Sequence, residues 1–122
     1  MNNMTQKEIA VGIFHAINKR DFTEFAEYIN EDLVFDFPGV DVMQGSKRVI
    51  LFFNILFRKY NSLLFNVIDS MIDGEKACVK WNNSGELKDG TPYANNGVTW
   101  FHFSKGKIAH MSDYFKDTSF TQ

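Results

Sequence analysis

Cysteine and proline are scarce in this chain, which has one cysteine and two prolines among 122 residues. The single thiol, Cys78, excludes an intramolecular disulfide and a cysteine-rich zinc site, and it is typical of a reducing compartment. Long apolar runs are also lacking: residues 49–53 form one of the longest, far short of the roughly 20 residues that a membrane helix needs. Residues 1–8 are mostly polar and contain no signal-peptide core. We therefore expect a cytoplasmic protein that has no membrane partner.

A basic excess is missing as well. The chain has thirteen Lys and Arg residues and fifteen Asp and Glu residues, which gives a net charge of −2. A broad polyanion-binding surface and a nucleic-acid partner are therefore not expected. The histidines are His15, His102 and His110, without the helical spacing of a zinc motif. We read them as polar members of an interface and predict neither a metal site nor a cofactor.

Aromatic residues are what the chain has in excess. Hydrophobic residues make up 44% and charged residues 23%, which is ordinary for a folded globular protein. Phenylalanine is the exception, with 13 copies beside 2 Trp and 4 Tyr. A chain of this length forms one domain, here residues 1–122, and that small core does not need so many rings. We expect some of them to line a cavity.

The first half of the chain has helical periodicity. Thr5 and Glu8 form a capping-box signature, which predicts a helix over 6–18. Asp21 begins a second, shorter helix that ends near Asn30. A strand over 33–37 ends at a Pro-Gly pair, and Ser46 is the expected N-cap of a third helix.

The second half of the chain has strand periodicity. Four strands are predicted over 63–72, 75–87, 93–103 and 107–115, separated by Asp-Gly or Lys-Gly turns that favour antiparallel hairpins. Helices followed by a run of strands indicate an α+β fold, with three N-terminal helices packed on one face of a curved, mostly antiparallel sheet.

This order of elements resembles the SnoaL-like and ketosteroid-isomerase-like branch of the nuclear transport factor 2-like superfamily. The stretches that carry the resemblance are Asp21-Phe22 with 31–39, 45–49, 92–95, 101–108 and 113–118. It implies a cone-shaped domain with a mixed, mostly antiparallel sheet. The family includes isomerases, cyclases, dehydratases and plain binding modules, so the fold alone does not decide the function.

The resemblance also allows one mechanism to be checked. Ketosteroid isomerase uses an Asp base, with a Tyr and a protonated Asp that polarise the substrate oxygen. With the sequences aligned through Asp21 and Pro38, these positions fall on Phe37, Ile13 and, approximately, Thr99. None of the three has the required chemical group, so classical ketosteroid isomerase chemistry is not expected.

The resemblance implies which side chains face the interior of the cone. Asp113 is the only carboxylate among them, and an apolar wall should raise its pKa towards neutral, which suits a general acid or base. The predicted ligand-binding residues are Asn95, Trp81, Asn83, Thr99, Phe37, Phe53, Phe57, Phe101, Met111 and Phe115. They describe an apolar pocket with few polar groups, as in many small-molecule sites.

These polar residues also have structural interpretations. Asp113 could move a proton, orient a ligand, or lie at the rim of the pocket bonded to Asn95 or Asn83. We expect Asn95 to face a ligand carbonyl or hydroxyl, and Asn83 to serve a bulged or edge segment instead. Trp81 and Thr99 are explained equally well by core packing and strand propensity.

The opposite face of the sheet is predicted to be partly apolar, with Val98, Trp100, His102, Ile108 and Tyr114. Related proteins commonly dimerise through this sheet, so we expect a homodimer.

Three functions follow from the sequence. The first is a SnoaL-like isomerase, cyclase or dehydratase that binds a small hydrophobic molecule and uses Asp113 as its acid or base. The second is a non-catalytic ligand-binding protein. The third is a dimerisation module whose cavity is filled by its own phenylalanines.

Overall fold

A computed structural model describes residues 4–118 of the chain. Three helices and six strands follow in the order α1 (Gln6–Lys19), α2 (Phe22–Glu27), β1 (Ile29–Asp36), β2 (Met43–Gln44), α3 (Ser46–Phe57), β3 (Tyr60–Asp73), β4 (Lys76–Leu87), β5 (Pro92–Ser104) and β6 (Lys107–Phe115). The strands form one sheet in the order β2-β1-β6-β5-β4-β3. The neighbouring strands are antiparallel except β1 and β6, which run parallel. This confirms the predicted α+β fold with three helices on a mixed, mostly antiparallel sheet.

Helix α1 begins as predicted, because both halves of the capping box form between Thr5 and Glu8. It ends at Arg20, a C-cap residue in the left-handed region with φ 56°. Its apolar stripe is buried over the sheet, and Ala10, Ile13 and Ala16 are fully buried. This stripe forms one wall of the interior space.

Helix α2 is shorter than the sequence predicts. Asp21 caps it by accepting hydrogen bonds from the backbone N–H groups of Thr23 and Glu24. The helix ends at Glu27, and Ile29 pairs with Ile108 instead of continuing it. Here the pairing of β1 with the sheet is more favourable than another helical turn, although the spacing of apolar residues suits a helix. The pairing buries Ile29 and provides hydrogen-bond partners for the backbone of β1.

Two details around β2 and α3 also differ from the sequence prediction. The N-cap of α3 is Gly45, with φ 104°, and Ser46 is the first helical residue. The short strand β2 was not predicted; it pairs with Val34 and Phe35 of β1. Two residues are too few to show an alternating pattern, so its existence depends on tertiary pairing.

A bulge in β6 corrects the predicted outer face of the sheet. His102 pairs with His110, but Phe103 pairs with Ile108, so Ala109 is the extra residue. The bulge shifts the side-chain alternation and places Ile108 in the core, where it is fully buried. Ile108 therefore does not belong to the outer face, whereas Trp100 and Tyr114 keep the expected alternation.

The core lies between the helices and the face of the sheet that they cover. Its largest fully buried side chains include Phe25, Phe35, Phe101 and Phe103. Within residues 4–118 no helix is long and apolar enough to cross a membrane.

Candidate functional site

A narrow cavity of about 40 Å³ lies between the helices and the sheet. It is enclosed by α1, α3 and the four long strands. Its lining is Ile13, Phe14, Ile17, Phe37, Phe53, Leu56, Phe57, Tyr60, Leu63, Phe65, Trp81, Asn83, Tyr93, Asn95, Thr99, Met111, Asp113 and Phe115. A volume of this size holds a few water molecules, since one water needs roughly 10–15 Å³ on this measure.

The structure brings together nearly all the residues that the sequence predicts for the pocket. Asp113 and nine of the ten predicted ligand-binding residues are on the lining. The exception is Phe101, which is fully buried and packs against Phe14 and Phe103 instead. Its side chain points to the helix-covered face as expected, but it belongs to the packed core beneath the cavity.

Much of the remaining space inside the cone is filled by phenylalanine rings. Phe53 stacks on Phe57, with ring centroids 5.5 Å apart, and Phe37 contacts Phe115 at 5.4 Å. On the outside of this wall, the guanidinium of Arg20 lies 4.1 Å from the centroid of the Phe57 ring. The phenylalanines therefore both line the cavity and restrict its volume.

A chain of buried hydrogen bonds leads to Asp113. The Trp81 indole N–H donates to Thr99 Oγ1 at 3.0 Å, and the Thr99 hydroxyl donates to Asp113 Oδ1 at 2.7 Å. Trp81 and Thr99 are almost completely buried, whereas Asp113 is partly buried and lines the cavity. The partner of the carboxylate is therefore Thr99, and neither Asn95 nor Asn83 takes this role.

The surroundings of Asp113 favour its protonated form. Burial raises the pKa of Asp113 from its ordinary value of 3.8 to about 7. The hydrogen bond from Thr99 stabilises the carboxylate and opposes this rise, and the negative charge of Asp36 adds to it. At neutral pH both forms of Asp113 are consequently populated.

Asn95 has a structural role that the sequence did not reveal. Its Nδ2 donates to the backbone carbonyl of Asp117 at 2.8 Å and to Tyr93 Oη at 3.1 Å. Its Oδ1 accepts from the backbone N–H groups of Asn96 and Asp117. The amide thus holds the chain beyond β6 against β5 through four hydrogen bonds, while the residue still lines the cavity. A contact between Asn95 and a ligand stays a prediction.

Asn83 has the opposite environment. Asn83 is 7% exposed and lines the cavity. Its side-chain oxygen Oδ1 is buried and has no hydrogen-bond partner among the described residues. The sequence favoured a local backbone role for this side chain, but its carbonyl oxygen satisfies no backbone group. An unpaired buried acceptor beside a cavity is a candidate contact for whatever occupies that cavity.

Two tyrosines of the lining were missed by the sequence analysis. Tyr60 and Tyr93 have ring centroids 5.2 Å apart, and the pKa of each phenol is raised, in first place by burial. The hydroxyl of Tyr60 is hydrogen-bonded to that of Tyr93. Tyr93 has the same strand parity as Asn95, which could have indicated it, whereas Tyr60 precedes the predicted start of its strand.

No metal centre is found among residues 4–118, which contain no group of three or more His, Cys, Asp or Glu side chains placed to hold an ion. His102 and His110 both lie against the Trp100 ring, at centroid distances of 6.2 and 5.3 Å. This cluster is on the outer face of the sheet, where Cys78 is also partly exposed.

Solved structures show the same fold with low sequence identity. A provisionally named polyketide cyclase from Pseudomonas putida KT2440 has a TM-score of 0.86 and 21% identity, covering 97% of this chain and 96% of that chain. A provisionally named SnoaL-like polyketide cyclase from Jannaschia sp. CCS1 has a TM-score of 0.83 and 18% identity, covering 89% and 83%. A nuclear transport factor 2-like protein of unknown function from Cytophaga hutchinsonii ATCC 33406 has a TM-score of 0.78 and 18% identity, covering 98% and 96%. At these identities the similarity shows the fold and not the activity.

The sequence itself identifies the family. No curated protein matches the chain. The sequence pattern of the SnoaL-like domain matches residues 10–111, which is most of the chain, although it ends two positions before Asp113. The protein therefore belongs to the SnoaL-like domain family and has the nuclear transport factor 2-like fold.

Proposed function

We propose that this protein binds a small hydrophobic molecule in the cavity and uses Asp113 as a general acid or base on it. The proposal rests on the chain of hydrogen bonds from Trp81 through Thr99 to Asp113 in a mostly apolar lining. A carboxyl group placed in this way exchanges protons near neutral pH and has a fixed orientation.

The hydrogen bonds assign different tasks to the two carboxylate oxygens. Thr99 engages Oδ1, because its own hydroxyl oxygen already accepts from the Trp81 indole and its proton is directed at the carboxylate. Oδ2 is left to accept or release the transferred proton. On a carbonyl ligand, the Asp113 carboxylate would remove a proton from the carbon next to the carbonyl and return it to another carbon in an isomerisation, or to the oxygen of the carbonyl that the carbanion attacks in a cyclisation. On a β-hydroxy carbonyl ligand it would take the proton from that carbon and pass it to the hydroxyl, which leaves as water while the C=C bond forms. Isomerisation, cyclisation and dehydration all use such a step.

Ligand entry requires that the cavity widen. Benzene occupies a cavity of roughly 150 Å³ in a protein interior, well above the volume present here. Leu56, Phe65 and Phe115 are lining residues that remain partly exposed. Displacement of one of these side chains would open the cavity with a smaller loss of buried area than displacement of a fully buried one.

The proposal is tested with a panel of hydrophobic ketones, hydroxy acids and phenols, using the wild type, Asp113→Asn and Asp36→Asn. Asp36 is a matched control for the loss of a carboxylate, since it is exposed on the neighbouring strand and acts on Asp113 only through its charge. A ligand at 100 times its Kd should raise the unfolding free energy by about 2.7 kcal/mol, a shift of several degrees in Tm. We expect turnover of a binding compound by the wild type and Asp36→Asn but not by Asp113→Asn. Equal turnover by all three would contradict a catalytic Asp113.

A second candidate is a non-catalytic binding protein. The two donors nearest to Asp113 are already engaged within the protein. The Trp81 N–H donates to Thr99, and the Thr99 hydroxyl donates to the Asp113 carboxylate. Acid–base chemistry on a carbonyl usually also needs a donor that stabilises the developing oxyanion. Ligand binding by Asp113→Asn at wild-type affinity, with no turnover by either protein, would favour this candidate.

We also propose that the outer face of the sheet forms a homodimer. Trp100, His102 and Tyr114 share this face. Tyr114 of β6 is 62% exposed, and Met71 of β3, which lies in the same row across the sheet as Trp100, is 73% exposed. Tyr114→Lys should shift the mass measured by light scattering from two chains to one. Leu51→Lys, an equally exposed change on α3, should leave the mass unchanged.

A further inference from the structure

The unpaired side-chain oxygen of Asn83 restricts the chemistry of the ligand. A buried acceptor without a hydrogen bond carries a free-energy cost, so such groups are almost always paired in folded proteins. Asn83 Oδ1 is buried, and the side chain lies on the cavity wall between its register partners Phe65 and Asn95. A donor brought into the cavity would remove this cost.

The neighbouring polar side chains do not supply that donor. The Asn95 amide donates to the carbonyl of Asp117 and to Tyr93 Oη, and the Tyr60 hydroxyl is bonded to Tyr93. These groups form a network of their own along the same wall. The donor for Asn83 therefore comes from what occupies the cavity, which is water in the empty protein and the ligand when one is bound.

The charge of the lining narrows the ligand class further. No Lys, Arg or His lines the cavity within the described part of the chain, and Asp113 is the only carboxylate there. A ligand carboxylate or phosphate would be buried without a counter-ion, which is strongly unfavourable. The ligand portion that enters the cavity is consequently uncharged.

We propose that Asn83 Oδ1 accepts a hydrogen bond from a hydroxyl or N–H group of an uncharged ligand, and that this contact makes Asn83 a specificity-determining residue. The inference depends on the proposed function for the existence of a ligand. It adds that the ligand carries a donor, which an ether or a plain ketone of the same shape lacks.

The register places this contact far from Asp113. Val79 of β4 pairs with Thr99 of β5, which pairs with Asp113 of β6, so these three residues form one row across the sheet. Asn83 lies four residues along β4 from this row. At about 3.4 Å per residue this corresponds to roughly 14 Å of strand, which the curvature of the sheet shortens for side chains on the inner face. The donor and the reacting group therefore belong to opposite ends of an elongated ligand.

The test uses 2-naphthol and 2-methoxynaphthalene, which share a ring system but differ in the donor. Dissociation constants are measured by titration calorimetry for the wild type, Asn83→Leu and Asn82→Leu. Asn82 is the matched control, because it is the exposed neighbour on the opposite face of β4. We expect the wild type and Asn82→Leu to bind naphthol about tenfold more tightly than its methyl ether. Asn83→Leu should bind the two compounds equally.

The outcomes separate this inference from the proposed function. Equal binding of both compounds by the wild type would overturn the inference and leave the cavity a ligand site, with water as the partner of Asn83. Binding of neither compound, by the wild type or by the widened variant Leu56→Ala, would overturn the proposed function and the inference with it. If Asn83→Leu does not fold, Asn83→Ala provides the same comparison.

Discussion

Thr99 and Asp113 face each other directly across β5 and β6, and the Thr99 hydroxyl lies 2.7 Å from Asp113 Oδ1. Strand pairing, and not a loop, therefore sets the position of the carboxylate. The side chains of such opposed pairs are held close together by the backbone ladder. The Trp81 indole then fixes the Thr99 oxygen from the next strand.

Thr99→Val should raise the pKa of Asp113 above its value of about 7. The variant removes the hydroxyl that stabilises the charged carboxylate, and one hydrogen bond to a charged group is worth about 1.5 kcal/mol or more, equivalent to about 1 in pKa. The pKa is measured from the carboxyl carbon shift in a ¹³C NMR titration. Thr99→Ser keeps the hydroxyl and should titrate like the wild type; an unchanged pKa in Thr99→Val would show that the hydrogen bond does not act on the carboxylate.

Asp113→Asn should stabilise the protein at high pH but not at low pH. The folded-state pKa of about 7 exceeds the ordinary value of 3.8, so the folded protein binds the proton more tightly than the unfolded chain. Ionisation of Asp113 therefore lowers the free energy of unfolding as the pH rises from about 4 to 7. Above pH 7 this loss of stability is at most about 4 kcal/mol. Urea unfolding at pH 4, 6 and 8 should show a growing advantage of the variant. A constant difference across this range would mean that Asp113 is not strained by burial.

Asn95→Ala should destabilise the protein by about 2 kcal/mol. It removes the hydrogen bonds that join Asn95 to the backbone of Asp117, and each contributes about 1 kcal/mol. Hydrogen exchange should show faster exchange of the amides of Asn96 and Asp117. The exposed neighbour Asn96 is the control, and Asn96→Ala should change stability by less than about 0.5 kcal/mol.

Lys105→Asn should raise the free energy of unfolding by about 0.5 kcal/mol. Lys105 and Gly106 form the two-residue turn between β5 and β6, with φ values of 55° and 80°. Both are in the left-handed region, where Asn-Gly is the preferred pair and Lys is strained. Urea unfolding measures the gain. Gly106→Ala should lower stability instead, and a gain from that change would contradict the turn geometry.

The sequence was sufficient for the elements that have a strong local pattern. Helix α1 has a capping box and a regular apolar stripe, and β3 to β6 are separated by turn residues, so all were predicted within a few residues. The end of α2 and the strand β2 were not, because both depend on pairing with residues that are distant in the sequence. The bulge at Ala109 was not predicted either, because it depends on how β6 pairs with β5.

The family resemblance, together with strand alternation, predicted most of the cavity lining but not which hydrogen bonds each polar group would form. Asn83 and Asn95 have the same residue type, the same orientation and directly paired positions. Only the course of the chain beyond β6 separates them, because it brings the backbone of Asp117 to Asn95 and leaves Asn83 without an equivalent partner. A hydrogen-bond partner from a distant segment cannot be inferred from alternation alone.

The parallel pairing of β1 with β6 has a consequence during synthesis. Apart from the two-residue strand β2, β1 has no strand partner until β6 has left the ribosome. Until then Leu33 and Phe35, both fully buried in the folded protein, belong to a strand with an uncovered edge. Nascent chains in this interval should therefore be the form most prone to aggregation and most dependent on chaperones, although the finished domain is small.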